Sequence, residues 1–149
     1  MNLQEEIKQP KFRSPYQKVA LNLIYTAHWL VSKQQVFFKP FGITPSQYNI
    51  LRILRGQLTN KISGVEIKSR MLDKNSDIPR LLDRLLKKKL ITKTPCPDDK
   101  RAADILITKG GLDVLSKIDN LMDEIEKEDI HLTKEEATQL SNLLDKARG

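Results

Sequence analysis

Charged side chains that could contact a ligand are concentrated in the stretch CPDDKRAADILIT, residues 96–108. Asp98 and Asp99 are followed at once by Lys100 and Arg101, after a proline and before alternating apolar residues. A charged segment between two strand-like runs predicts a hairpin whose tip presents these groups to solvent. A guanidinium beside a carboxylate is oriented by it and suits an anionic ligand, although the P-D-D sequence would equally form a simple polar turn.

Catalytic chemistry has little support in the sequence. The chain contains no H-E-x-x-H, G-x-x-x-x-G-K or G-x-S-x-G motif, and its only histidines are His28 and His131. Its single cysteine, Cys96, excludes an internal disulfide and a multi-cysteine zinc site. The acids of residues 123–129 have no histidine beside them, which favours a solvated helix face over a metal site. We therefore predict a protein that is not an enzyme and binds no metal or cofactor.

The charge distribution favours a polyanionic partner. The 149-residue chain has a formal net charge of +7 and an isoelectric point near 9.5. Residues 68–101 carry eleven Lys and Arg against five Asp and Glu, whereas residues 120–149 carry eight acids against four bases. A basic middle and an acidic end are typical of a domain that presents one face to nucleic acid.

The composition predicts a single folded domain over residues 1–149. Hydrophobic residues make up 39% of the chain and charged residues 30%, which suits a soluble protein with a core. No apolar run approaches the roughly 20 residues of a membrane span, and the polar start differs from a secretory signal. We expect a cytoplasmic protein without membrane contact.

Helix-capping signals divide the chain into elements. Ser14-Pro15 begins a long helix that the apolar spacing extends to about Phe38. Capping boxes, in which a Ser or Thr is followed three residues later by Glu or Gln, begin three further helices. The predicted N-terminal caps are Ser14, Thr44, Ser63, Asn75 or Ser76, Thr108 and Thr133.

The helix expected after Asn75 or Ser76 has one apolar and one charged face. Its buried stripe is Ile78, Leu81, Leu82, Leu85 and Leu86. Its outward residues are Asp77, Arg80, Asp83, Arg84, Lys87 and Lys88. Strands at residues 91–94 and 104–107 follow. Consecutive helices and a hairpin predict a mainly α fold: a winged helix-turn-helix lobe at residues 44–107, with long helices at 14–38 and 108–146.

Helix and hairpin together resemble the MarR family of bacterial transcriptional regulators. Residues 78–88, IPRLLDRLLKK, match the family's recognition helix. Asp99-Lys100-Arg101, Ile107-Thr108 and Gly111 match its wing signature of D-x-R, then an apolar residue, Thr, two residues and Gly. The order of helices matches from about Ser14 to Lys146. The family usually ends the recognition helix with a glycine, where this chain has Lys89.

A recognition helix reads the major groove of double-stranded DNA with its first turns. Arg80 and Arg84 share a face and could contact a guanine edge and a phosphate, although both could also be solvated charges. The resemblance implies that Arg101 enters the minor groove and that Asp99 orients it. The candidate DNA-binding residues are Lys74, Asn75, Ser76, Asp77, Arg80, Arg84, Asp99, Lys100 and Arg101.

The resemblance also implies a homodimer, which the helices at 14–38 and 108–146 would form. Two-fold symmetry then predicts a near-palindromic operator with half-sites roughly one helical turn, about 10 bp, apart. Family members bind small, often aromatic effectors, so Tyr25, His28 and Trp29 are pocket candidates, although such aromatics more often belong to a core. Cys96 lacks a resolving partner in its own chain, and we expect it to be inert.

These observations predict a homodimeric DNA-binding regulator, most often a repressor in such families, that an effector releases from its operator. Two alternatives stay open: a dimeric protein-interaction module without operator recognition, and a non-specific nucleic-acid binder. A steep salt dependence separates DNA binders from the first alternative, and sequence selectivity separates a regulator from the second.

Overall fold

The computed structural model describes residues 1–58, 60–95 and 103–149. Seven α-helices, one 3-10 turn and one hairpin follow one another in the described residues, confirming the predicted mainly α fold class. Their bounds are α1 Leu3–Glu6, α2 Pro15–Phe38, the 3-10 turn Lys39–Phe41, α3 Pro45–Arg55, α4 Gly64–Arg70, α5 Ile78–Lys87, β1 Ile91–Pro95, β2 Ala103–Ile107, α6 Lys109–Asp129 and α7 Lys134–Arg148.

Most predicted helix starts are confirmed, because short side-chain caps determine them locally. The Ser14 hydroxyl accepts the Gln17 N–H at the start of α2, where Pro15 occupies the first helical position. Capping boxes begin α3 at Thr44, α4 at Ser63 and α7 at Thr133. In each box the reciprocal side chain reaches back to the cap N–H, so two free donors at the helix end are satisfied.

The core lies between α3, α4, α5, the hairpin and the first half of α6. Ile50, Leu51, Ile67, Leu85 and Leu115 are fully buried within it. The end of α2 enters the same core. Phe38 is 1% exposed, and its ring stacks on that of Tyr48 in α3 with the centroids 4.4 Å apart. The aromatic contact therefore fixes the end of α2 on the lobe that carries α5.

An ion pair between α3 and α6 reinforces the packing of the lobe. The Arg55 guanidinium donates to both carboxylate oxygens of Asp119, at 2.5 and 3.4 Å. Beside Asp119 on α6, Ile118 is fully buried in the core. The middle of α6 thus belongs to the lobe, whereas its C-terminal half extends beyond it.

The start of α5 differs from the prediction. Asp77 is the N-cap, and its carboxylate accepts the Arg80 N–H at 3.2 Å, so the prediction that Asn75 or Ser76 caps the helix is wrong. The Asp73 carboxylate accepts the Asn75 N–H at 2.9 Å, and this turn moves the helix start to Asp77. Pro79 lies in the first turn, as predicted, where its missing N–H costs no helical hydrogen bond.

The end of α5 keeps the geometry of a glycine cap although it has a lysine. Lys89 has φ +59°, in the left-handed region. The Lys89 N–H donates to Leu86 O at 2.9 Å and the Leu90 N–H donates to Leu85 O at 3.1 Å, the two bonds of a Schellman motif. A side chain in this conformation is strained relative to glycine.

Lys89→Gly is therefore expected to stabilise the fold by about 0.5–1 kcal/mol, the relief of strain exceeding the entropy that glycine adds to the unfolded chain. The measurement is the midpoint of urea unfolding at a fixed protein concentration. Lys87→Gly, at the last residue of the helix, should instead destabilise the fold, by up to about 1 kcal/mol. Equal effects of the two substitutions would contradict the strain assigned to Lys89.

The hairpin is a wing attached to a third extended segment. β1 and β2 pair antiparallel, with Ile91 opposite Ile107 and Pro95 opposite Ala103. The Ile105 N–H also donates to Ile62 O at 3.0 Å, just before α4 begins. Each strand is one residue longer at the tip end than predicted. The middle of β2 is hydrogen-bonded to the segment that leads into α4.

Two terminal elements lie outside this core. The polar N-terminus forms the short α1, which no periodicity predicted, and Leu3 of α1 is 6% exposed. The 15-residue α7 buries no residue at all. Among the described residues, no helix is long and apolar enough to cross a membrane.

Candidate nucleic-acid interface

The amphipathic helix α5 presents a charged face to solvent. Ile78, Leu82 and Leu85 are at most 4% exposed, which anchors one side of α5 in the core. The opposite side carries Asp77, Arg80, Asp83, Arg84 and Lys87, all exposed. The predicted stripe is confirmed, and its packing sets which way the two arginines point.

Arg80 and Arg84 line one shallow cleft between α5 and the start of α3. The cleft is also lined by Ser46, the second residue of α3. Both guanidiniums are exposed, one turn apart, at an edge where a helix can approach a groove of DNA. Sequence reasoning missed Ser46, because nothing in the spacing of residues 46 and 80 shows that α3 and α5 meet there. The full lining is Ser46, Asp73, Ser76, Asp77, Arg80, Leu81 and Arg84.

Three of the candidate DNA-binding residues lie in the turn before α5 rather than on the helix itself. Lys74, Asn75 and Ser76 precede the cap Asp77. The Lys74 ammonium donates to Ser69 O near the end of α4, and the Ser76 hydroxyl donates to Asp73 O at 2.8 Å. Ser76 is only 9% exposed, since its side chain closes the turn between the two helices. Asn75 is exposed and faces solvent from that turn.

The predicted wing-tip residues lie outside the described residues. These are Asp99, Lys100 and Arg101, together with Cys96. Lys93 of β1 is exposed opposite Ile105, and the Lys61 ammonium lies 3.6 Å from the Asp104 carboxylate of β2. Cationic groups therefore continue from α5 onto the hairpin.

Thr108 and Gly111 attach the wing and α6 to the end of α5. The Thr108 hydroxyl donates to Lys89 O at 2.8 Å and accepts the Gly111 N–H at 3.1 Å, while the Thr108 N–H donates to Leu90 O at 3.0 Å. A Cβ at Gly111 would lie 2.4 Å from Leu90 O, too close for any side chain. The Thr and Gly of the wing signature thus have structural roles. The Thr108 hydroxyl links the end of α5 to the start of α6, and the absence of a side chain at Gly111 lets α6 pack closely against Leu90 and β2.

Lys88 has a role that sequence reasoning missed. It was predicted on the outward face of α5, but its ammonium donates to Gly42 O and, at 3.0 Å, to Gln47 Oε1. Partial burial, and then the charge of Arg84, lower the pKa of Lys88 below its usual value. No sequence signal marks contacts that bridge more than forty residues.

The three candidate effector residues occupy one region of α2 in different environments. The Tyr25 hydroxyl donates to the Glu6 carboxylate of α1 at 2.6 Å, and this bond raises the pKa of Tyr25. Trp29 is partly buried, with the Lys33 ammonium 6.0 Å from its ring centre, and His28 is exposed. Of the three, only Tyr25 has a hydrogen bond to α1, and their effector role stays a prediction.

Two helices joined by a turn, the second exposing a basic face, and an antiparallel hairpin behind them define a winged helix-turn-helix DNA-binding regulator. The profile of the MarR family matches residues 43–103, the lobe just described. The multiple antibiotic resistance protein MarR of Salmonella typhimurium is 30% identical over 115 residues, which cover 74% of this chain and 76% of that protein. The chain therefore belongs to the MarR family of transcription regulators and is not an enzyme.

Solved structures agree with this assignment. A MarR-like transcription regulator from Bacillus cereus superposes with a TM-score of 0.79 over 89% of this chain and 95% of its own, at 21% identity, which shows the shared fold. A mutant MarR from E. coli, complexed with operator DNA, gives a TM-score of 0.74 at 25% identity over 99% of both chains. The fold similarity extends over the long terminal helices as well as the lobe.

Proposed function

We propose that this protein is a homodimeric transcriptional regulator that acts as a repressor. It binds a near-palindromic operator in the cytoplasm. The observation that carries the proposal is the exposed pair Arg80 and Arg84 on a helix whose other face is fixed in the core. A rigid helix that presents two guanidiniums one turn apart suits simultaneous contact with a base edge and a phosphate. The similar mutant MarR of E. coli is complexed with operator DNA, which supports DNA as the partner.

The dimer is proposed from the apolar residues that one protomer leaves uncovered. On α2, Val19 is 54% and Ile24 56% exposed; on α7, Leu140 is 46% and Leu143 55% exposed. An isolated helix of 15 residues is marginal in water, and no residue of α7 is fully buried within its own chain. A second copy packed against α2, the end of α6 and α7 would cover these apolar side chains and would stabilise α7. In domain terms, helices 14–38 and 108–146 dimerise while lobe 44–107 binds DNA.

Effector release is proposed as a shift between two dimer states. A small aromatic ligand near Tyr25, His28 and Trp29 would contact α2, whose end is fixed to the lobe through Phe38 and Tyr48. The ligand would bind more tightly to a dimer whose recognition helices are wrongly spaced for the operator. The affinity for DNA then falls by at most the ratio of the ligand's affinities for the two dimer states.

The test is fluorescence anisotropy of the purified protein with the duplex upstream of its own gene and with a scrambled duplex, across a salt series. A regulator should bind the first duplex selectively at one dimer per site, with log K falling linearly with log salt. Equal binding to both would favour a non-specific binder, and no binding to either would favour a protein-interaction module.

Arg80→Ala is expected to relax base preference by about 1–3 kcal/mol at one position of each half-site, the usual value of a lost bidentate contact. Competition between the selected site and its single-base variants measures this. Lys117→Ala is the matched control, since Lys117 is exposed on α6 and loses the same charge. A uniform loss across all base variants would show that Arg80 contacts phosphate instead.

A further inference from the structure

The C-terminal end of α5 contacts the corner that follows α2 and the cap of α6, the two longest helices of the protomer. On one side, Lys88 reaches the corner between α2 and α3, which comprises the 3-10 turn and Gly42. On the other side, Lys89 O and Leu90 O accept from Thr108, the cap of α6. Three consecutive residues, 88–90, thus connect the end of α5 to the α2–α3 corner and to the cap of α6.

The α2–α3 corner is tightly packed, so a contact with it can hold the end of α5 in place relative to α2. Phe38, at the end of α2, is buried and stacked on Tyr48, and Phe37 packs edge-on against Phe41 with centroids 5.6 Å apart. Gly42 follows with φ +70°, a conformation that aims its carbonyl at Lys88. The Gly42 carbonyl therefore directly follows this tightly packed aromatic corner.

Lys88 also contacts the first turn of α3. Its second acceptor, Gln47 Oε1, simultaneously accepts the Thr44 N–H at 3.2 Å as part of the α3 capping box. Gln47 is 1% exposed, so its amide is held in place by the surrounding core. A charge-assisted donor shared by two fixed acceptors adds a polar restraint at the C-terminal end of α5 to the restraint from its buried stripe.

We propose that Lys88 is a positioning residue that couples the recognition helix to the α2–α3 corner and so sets the spacing of the two operator half-sites. This inference rests on the proposed homodimer and its two-fold operator. In such a dimer the separation of the recognition helices depends on how each is attached to its own dimerisation helices. Without the Lys88 contacts, α5 keeps its buried stripe but loses its hydrogen bonds to the corner at the end of α2.

The experiment compares spacing preference rather than affinity alone. The parent protein first selects sites from a random duplex pool, and the selected inverted repeat is then rebuilt with its spacer shortened or lengthened by one base pair. Each base pair rotates one half-site by about 35° and moves it by about 3.4 Å, so the parent is expected to lose about tenfold or more in affinity on either change.

Lys88→Met is expected to reduce this penalty to about threefold or less. The variant should bind the optimal spacer more weakly than the parent does, and it should bind the altered spacers nearly as well as the optimal one. Lys87→Met is the matched control, because it removes the same charge one residue earlier, and it should keep the spacing preference of the parent. Partial unfolding cannot imitate this result, since it lowers the active fraction equally for every spacer. Lys88→Gln, one bond shorter and polar, gives the same test if the methionine variant does not fold.

The outcomes separate this inference from the proposed function. A parent that selects no inverted repeat overturns the two-fold operator and, with it, the role of Lys88. A parent with a sharp spacing preference that both Lys88 variants retain overturns the role of Lys88 alone. A flattened preference in the Lys88 variants but not in Lys87→Met supports it.

Discussion

The double substitution Leu140→Lys and Leu143→Lys is expected to convert the protein into a monomer that no longer binds its operator. Both side chains are about half exposed in the single protomer and lie on α7, no residue of which is fully buried within its own chain. Together with Ala137 and Leu144 they form a stripe at helical spacing. The stripe requires a partner surface, and the proposed partner is a second copy.

The size of the effect follows from symmetry. A two-fold interface contains each position twice, so four apolar side chains are replaced by ammonium groups. At about 0.8–1.5 kcal/mol for each half-exposed leucine, the loss reaches about 3–6 kcal/mol, or roughly 10²–10⁴-fold in the dimer dissociation constant. Burial of the lysine charges would add to this loss.

Analytical ultracentrifugation across a concentration series measures the change, and anisotropy with the selected duplex measures its consequence for DNA. Asn142→Lys is the control: it adds a lysine to the same helix, on the side opposite the stripe, and should leave the dimer intact. If the double variant sediments as the parent does, α7 is not part of the dimer interface. Circular dichroism should show lower helix content in the monomer, because an unpartnered α7 is marginal.

The helix starts were predictable because capping is local. At Thr44, Ser63 and Thr133 the cap and its reciprocal partner are three residues apart, so the sequence contains the whole structural unit. The start of α5 was mispredicted because several neighbouring residues could cap the helix and another local hydrogen bond competes with capping. Asp73 offers a competing local hydrogen bond, and the sequence gives no rank between Asn75, Ser76 and Asp77.

The parts of the site that join distant segments were not predictable from spacing. Periodicity placed Lys88 on the charged side of α5, which is correct for its Cα, but its ammonium turns back to a carbonyl 46 residues away. Ser46 beside Arg80 and Arg84 is a similar case. Periodicity gives the face of a helix, whereas only tertiary packing determines which other element that face meets.

Gly111→Ala is expected to destabilise the fold by about 3 kcal/mol or more, at the upper end for an inserted methyl group. Its Cβ would lie 2.4 Å from Leu90 O and 2.6 Å from Ile107 Cγ1. Relief requires movement of a backbone carbonyl that also accepts the Thr108 N–H, so the clash and the lost hydrogen bond act together. Because Leu90 leads into β1 and Ile107 ends β2, the wing would shift on the recognition helix.

The matched control is Gly110→Ala, one residue earlier in the same helical turn. There the nearest heavy atoms would lie 3.6 Å from the new Cβ, an ordinary contact, and the unfolded chain loses entropy. Gly110→Ala should therefore be neutral or stabilising by up to about 1 kcal/mol. Thermal unfolding at one protein concentration, where about 3 kcal/mol corresponds to roughly 6–12 °C, distinguishes the two variants. Similar melting temperatures would mean that α6 tilts away from Leu90 at little cost, and the attachment of the wing to α5 would then be loose rather than fixed.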